Sequence, residues 1–140
     1  MKIYLSARYP RREEILRYRS QLQEMGHEVT SRWLIEEPLE GEPDNRRSAF
    51  ELHCLRFATQ DFSDLVDADG LIAFTDPSPN RFSRGGRHIE FGVALGLVKP
   101  IILIGPRENI FHHLPGVAHF VTWEHCLKNF PWPVPAGCSL

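Results

Sequence analysis

The chain is poor in the features that place a protein quickly. Its three cysteines, Cys54, Cys126 and Cys138, are odd in number and far apart. They make neither a disulfide framework nor a zinc spacing, and they fit a reduced, cytoplasmic setting. Charge of one sign is also lacking: sixteen Lys and Arg against eighteen Asp and Glu give a net charge of -2. A dedicated nucleic-acid binder carries a strong basic excess, so no nucleic-acid partner is expected. No apolar run approaches the roughly 18 residues of a membrane span, and a strand-like run starts after a single lysine, which argues against a signal peptide. Motifs are missing too. There is no GxxxxGKS/T loop, no GxGxxG after the first strand, no HExxH, and no Ser–His–Asp or Cys–His arrangement. His112 and His113 are adjacent, so their side chains point apart on any regular element. No metal and no cofactor are expected.

What is present is ordinary in sum and uneven in place. The 140 residues are 42% hydrophobic and 24% charged, the make-up of one folded domain spanning 1–140. Arginines gather at positions 8, 11, 12, 17 and 19, at 46 and 47, and at 81, 84 and 87; acids gather between Glu36 and Asp44. Apolar patterning predicts strands at 2–7, 27–34, 70–75, 100–105 and 117–123. Between them it predicts helices from about Arg11 to Met25, from about Arg46 to Val66 with a possible break near Thr59, and from about Arg87 to Val98. Residues 36–45 and 76–86 read as loops, and the prolines at 131, 133 and 135 end regular structure. Alternating strands and helices imply an α/β fold, a parallel sheet of about five strands between two helical layers. Ligands in such folds sit beyond the carboxyl ends of the strands. Four segments are expected there, 6–12, the stretch after Trp33, 76–88 and 105–109, and all but the second carry arginine.

Two acids stand in apolar company. Glu90 lies in RHIEFGVALGLV, one turn into a helix that reads as buried all round; it either satisfies backbone donors at the helix start or has a chemical role. Asp61 falls within the stripe Phe50, Cys54, Phe57 and Leu65, in which Cys54 reads as core. It either caps a new helix or faces inward for a purpose. Two carboxylates converging on one pocket are the usual equipment for glycosidic cleavage, one attacking the sugar and the other handling the leaving group's proton. The glycines of SRGGRH, before the helix of Glu90, permit close backbone approach to a ligand. Arg8, Arg84 and Arg87 have the fork geometry that grips a phosphate. Arg11, Arg12, Arg17 and Arg19 read instead as the wet face of the first helix, paired with Glu13 and Glu14. Tyr4, Tyr9, Trp33, Phe82 and Phe91 are candidates both for stacking on a base and for the core.

YLSAR near the start, DFSDLVDADGLIAF in the middle and GGRHIEFGVALGLVKPIILIG together resemble the nucleoside 2-deoxyribosyltransferase-like family over roughly residues 2–107. That resemblance implies a flavodoxin-like, Rossmann-like three-layer fold and a nucleoside or nucleotide as the small-molecule partner. It also implies assembly as a homodimer or larger homo-oligomer whose neighbour helps close the site. It gives Glu90 the role of nucleophile at C1′ and Asp61 that of the acid assisting departure of the base. Ser6 and Arg8 match the loop that contacts the ligand's 5′ end, and Gly86 and His88 fall beside the sugar and its 5′ group. The transferases proper carry an acid six residues before the nucleophile, where this chain has Arg84, and the PWPVPAGCSL tail has no match to their C-terminal carboxylate. A basic residue at that place favours a phosphorylated ligand. The expected reaction is therefore N-glycosidic cleavage of a (deoxy)nucleoside 5′-monophosphate. Base exchange between deoxynucleosides and a catalytically silent nucleotide-binding module are the alternatives.

Overall fold

In the computed structural model, which describes residues 1–36, 47–77 and 85–135, five strands form one sheet in the order β2-β1-β3-β4-β5, every pair parallel. The strands are β1 (Lys2–Ser6), β2 (Glu28–Val29), β3 (Gly70–Phe74), β4 (Ile101–Ile104) and β5 (Val117–Phe120). The helices are α1 (Arg12–Glu24), α2 (Arg47–Asp67), α3 (Gly86–Gly96) and α4 (Trp123–Lys128). This is the expected three-layer α/β arrangement. Side chains alternate along a strand, so β3 feeds two cores: Ile72 and Phe74 meet Ile15, Leu22 and Trp123 on one face, while Leu71 and Ala73 meet Leu65, Phe91 and Ala94 on the other. No helix among the described residues is long and apolar enough to cross a membrane.

Several local expectations need correction. The second strand shrinks to Glu28–Val29, because side chains take over the ladder beyond it. Ser31 Oγ accepts from Leu5 N at 2.6 Å, and the Trp33 indole N–H donates to Leu5 O at 2.8 Å. The chain then coils into a short 3-10 turn, Arg32–Ile35. Helix α2 is continuous through Thr59, so Asp61 caps nothing. Its first half projects from the body, which leaves Cys54 exposed rather than in the core. Nor is α3 buried all round: Phe91 and Ala94 face inward, whereas Ile89 is 69% exposed. Helix α4 has no counterpart in the sequence reading; Thr122 caps it, its Oγ1 accepting from His125 N at 3.2 Å. The acidic loop at 37–46, most of the loop at 78–84, and the tail from 136 lie outside the described residues.

The end of the described chain is pinned at the amino edge of the sheet. Phe130 packs on His27 just before β2 and on Trp132, and Trp132 covers Gly70 at the start of β3. A Cβ on Gly70 would meet the indole at 2.9 Å, so the close approach requires glycine.

Candidate active site

Three elements deliver the two acids and their neighbours to one place. Asp61 sits on α2, Glu90 in the second turn of α3, and Tyr4 and Ser6 on β1 between them. Asp61 and Glu90 both line a cleft of about 570 Å³ between α2 and α3, whose walls include Phe62, Leu65, Ile89 and Val93 and whose lip is Gly86. Those walls are mostly apolar, and that sets the chemistry of the acids.

Burial, more than anything else, pushes Glu90 up to about 7; the charge of Asp61 adds to the rise. The Tyr4 and Ser6 hydroxyls oppose it by favouring the ionised carboxylate. Asp61 is pushed up to about 6, first by burial and then by the nearby charges of Asp64 and Glu36, with Arg32 pulling the other way. Glu90 Oε2, Asp61 Oδ1, Tyr4 Oη and Ser6 Oγ are all buried without a completed hydrogen bond. Buried polar atoms are nearly always paired. Two of these orphans, on Asp61 and Glu90, line the cleft, and the Tyr4 and Ser6 hydroxyls stand against Glu90 from behind. The two carboxylates are left with open positions for another molecule's polar groups.

Asp61 is held in place from behind. One helical turn further on, the buried Asp64 carboxylate accepts from Arg32 N at 3.0 Å and from Arg32 Nε at 2.8 Å. Thr30 Oγ1 donates to Asp64 O at 2.9 Å. Together they staple the turn after β2 to α2.

A second cluster crowns the carboxyl edge of the sheet beside the cleft. Asp76, which follows β3, takes Arg8 Nη1 at 3.5 Å, Arg11 Nη1 at 3.4 Å and Arg87 Nη2 at 3.4 Å. Arg87 also grips Glu108 with both nitrogens, at 2.9 and 3.0 Å. His88 Nε2 lies 3.5 Å from Glu108, and the Asn109 amide stands 3.5 Å from His88 Nδ1 and 3.3 Å from His112 Nε2. Gly105 makes the turn that brings this loop over the edge. Its φ of +107° and its contact with Thr75 leave no room for a side chain, since a Cβ would meet Thr75 Oγ1 at 2.6 Å.

Of the residues singled out in the sequence, Asp61, Gly86 and Glu90 share the cleft, and the buried Ser6 hydroxyl faces Glu90 from β1. Arg8 and Arg87 converge, but on Asp76, and His88 turns to Glu108. Arg84 and Phe82 lie outside the described residues. Arg11 does not belong to the wet face of α1: its guanidinium bridges Glu14, Asp76 and the Thr75 carbonyl at the sheet edge. Tyr4 and Phe91 are core residues, at 0% and 4% exposure, whereas Tyr9 packs on Trp33 of the Arg32–Ile35 turn with ring centroids 6.3 Å apart. Asp76, Glu108 and Asn109 were missed. Their signal was positional, since each falls in a segment expected beyond a strand's carboxyl end.

A parallel α/β sheet with a paired-carboxylate cleft and an arginine-rich carboxyl edge defines the class. Among solved structures the chain is similar to a 2-deoxyribosyltransferase from Bacillus psychrosaccharolyticus, described as a biocatalyst for nucleoside synthesis. The TM-score is 0.66 at 21% identity, over 100% of both chains. It is also similar to the CMP N-glycosidase BcmB of Clostridium botulinum, with a TM-score of 0.55 at 21% identity over 93% of this chain and 98% of that one. At such identities the likeness establishes the fold, which is the fold the sequence resemblance implies. No protein-family model matches the sequence, and no curated protein matches it.

Proposed function

We propose that the chain is an enzyme of the nucleoside 2-deoxyribosyltransferase-like family that cleaves the N-glycosidic bond of a (deoxy)nucleoside 5′-monophosphate. The observation that carries this reading is the pair Asp61 and Glu90 on one apolar cleft, both held toward their protonated forms by burial. Ionised Glu90 attacks C1′, the C1′–N bond breaks, and Asp61 gives its proton to the departing base. Water then attacks C1′ and gives a proton to Asp61 as the C1′–O bond to Glu90 breaks, which releases sugar phosphate and restores the Glu90 carboxylate and the Asp61 acid. Ser6, Gly86 and His88 surround the sugar, and Arg8 and Arg87, with Arg84, receive the phosphate.

The test is chromatographic: incubate nucleosides and their monophosphates with the protein and look for released base. Glu90→Ala is expected to abolish release while nucleotide binding persists. Undiminished turnover in that variant overturns the mechanism. The likeness to a deoxyribosyltransferase supports a second reading, base exchange. A deoxynucleoside supplied with a second free base separates the two, since exchange makes a new nucleoside and hydrolysis makes none.

The same reading includes self-association. Leu52, Leu55, Thr59, Phe62 and Val66 recur at alternating spacings of three and four along α2, and the four apolar members are 45–67% exposed. With Ile89 they form an apolar rim beside the cleft. A second copy covering this rim would bury it and wall the cleft from water.

A further inference from the structure

The guanidiniums that the proposed function assigns to a phosphate already have an anion among them. Asp76 is held between Arg8, Arg11 and Arg87, its side chain 8% exposed, yet every one of the three contacts is long, at 3.4–3.5 Å. Charge-assisted bonds between nitrogen and a carboxylate settle at about 2.7–2.9 Å. None of the three forks is therefore seated on the Asp76 carboxylate at the distance such a pair prefers. Arg11 has a better partner in Glu14 at 2.9 Å, and Arg87 has one in Glu108 at 2.9 Å. Arg8 has no other acid partner among the described residues. It is the loosest member of the cluster, and it lies two residues beyond Ser6, whose hydroxyl faces Glu90.

We infer that Asp76 is a specificity-determining residue, a resident counter-anion that competes with the ligand's phosphate for Arg8. This rests on the reading of the cleft as a nucleotide site. Three guanidiniums against the carboxylates of Asp76, Glu14 and Glu108 leave the cluster without net charge. A neutral ligand therefore gains nothing there. A phosphate, with more charge and three acceptor oxygens, can draw Arg8 away from its long contact with Asp76. Asp76 thus sets how strongly the ligand's phosphate end is held, and its carboxylate keeps that hold moderate.

The experiment is calorimetric titration of the full chain with inorganic phosphate. Removing one competing unit charge at this range in Asp76→Asn is expected to tighten phosphate binding by about tenfold. Asp76→Glu, which keeps the charge, should stay near the unaltered protein, and adding Arg8→Gln to Asp76→Asn should cancel the gain. Binding no tighter in Asp76→Asn than in the unaltered chain overturns the inference, because it makes Asp76 a support for the arginines and not their competitor. Should Asp76→Asn fail to fold, the carboxyl ¹³C resonance of Asp76 in the unaltered chain reports the same exchange. It moves on adding phosphate if Arg8 leaves, and a stationary signal overturns the inference. Tighter phosphate binding without base release from any nucleotide would sink the proposed reaction alone. Base release with unchanged phosphate binding would sink the role of Asp76 alone.

Discussion

Asp61 acts on Glu90 across the cleft between α2 and α3: its negative charge adds to the burial that holds the Glu90 proton. Two acids related in this way titrate as a unit, with steps near 6 and near 7. The proposed chemistry needs one proton between them, since Glu90 must be ionised to attack and Asp61 protonated to donate. The singly protonated pair is most abundant between the two steps. kcat/KM for base release should therefore peak between pH 6 and 7 and fall on both sides. In Asp61→Asn the residual activity should lose its alkaline fall and rise to a plateau with a midpoint below 7, because the neighbouring charge is gone. A pH–rate profile of that variant identical in shape to the parent's would break the pairing.

Glu90 also weighs on stability. Its carboxyl sits near 7 in the folded chain against an ordinary 4.5, so the folded state binds the proton more tightly than the unfolded state. Stability from this group is complete below pH 4.5 and is lost as pH rises through 7. Glu90→Gln removes the buried charge and should stabilise the protein at pH 8 by on the order of 2 kcal/mol. The gain should vanish near pH 4. Thermal melts of both proteins across that range measure it.

The apolar rim on α2 gives a solution measurement. Light scattering on the unaltered chain should return a multiple of 16.1 kDa. The double change Leu52→Glu and Leu55→Glu places charge on the projecting half of α2, away from the cleft, and should return the monomer mass. An unchanged mass would move the interface elsewhere.

Val98 follows the end of α3 with φ of +55° and is 88% exposed. A β-branched residue in the left-handed region crowds its own backbone, and glycine is the usual occupant after a helix. Val98→Gly should therefore raise stability by about 1 kcal/mol in denaturant unfolding, with no effect on base release.

The sheet was legible because four of its strands are short apolar runs or alternations long enough to register, and Gly70–Phe74 and Ile101–Ile104 fall where patterning puts them. The second strand was overread because Ser31 and Trp33 bond the backbone of Leu5 through their side chains, and a hydropathy pattern does not distinguish that from a ladder. Helix α4 was hidden by its six-residue length. Asp61 and Glu90 stood out as charges in apolar company, an anomaly that needs no neighbours to be seen. The Asp76 cluster draws its members from four segments between residues 8 and 108, and only the folded order β1-β3-β4 makes them adjacent. Ion pairs across such distances leave no local trace.

The wedge of Trp132 against Gly70 has a practical side. It fixes the departing chain at the edge of the sheet opposite the cleft. A surface, bead or reporter attached beyond residue 135 would hold the protein by its base, with the mouth between α2 and α3 turned outward to whatever solution flows past.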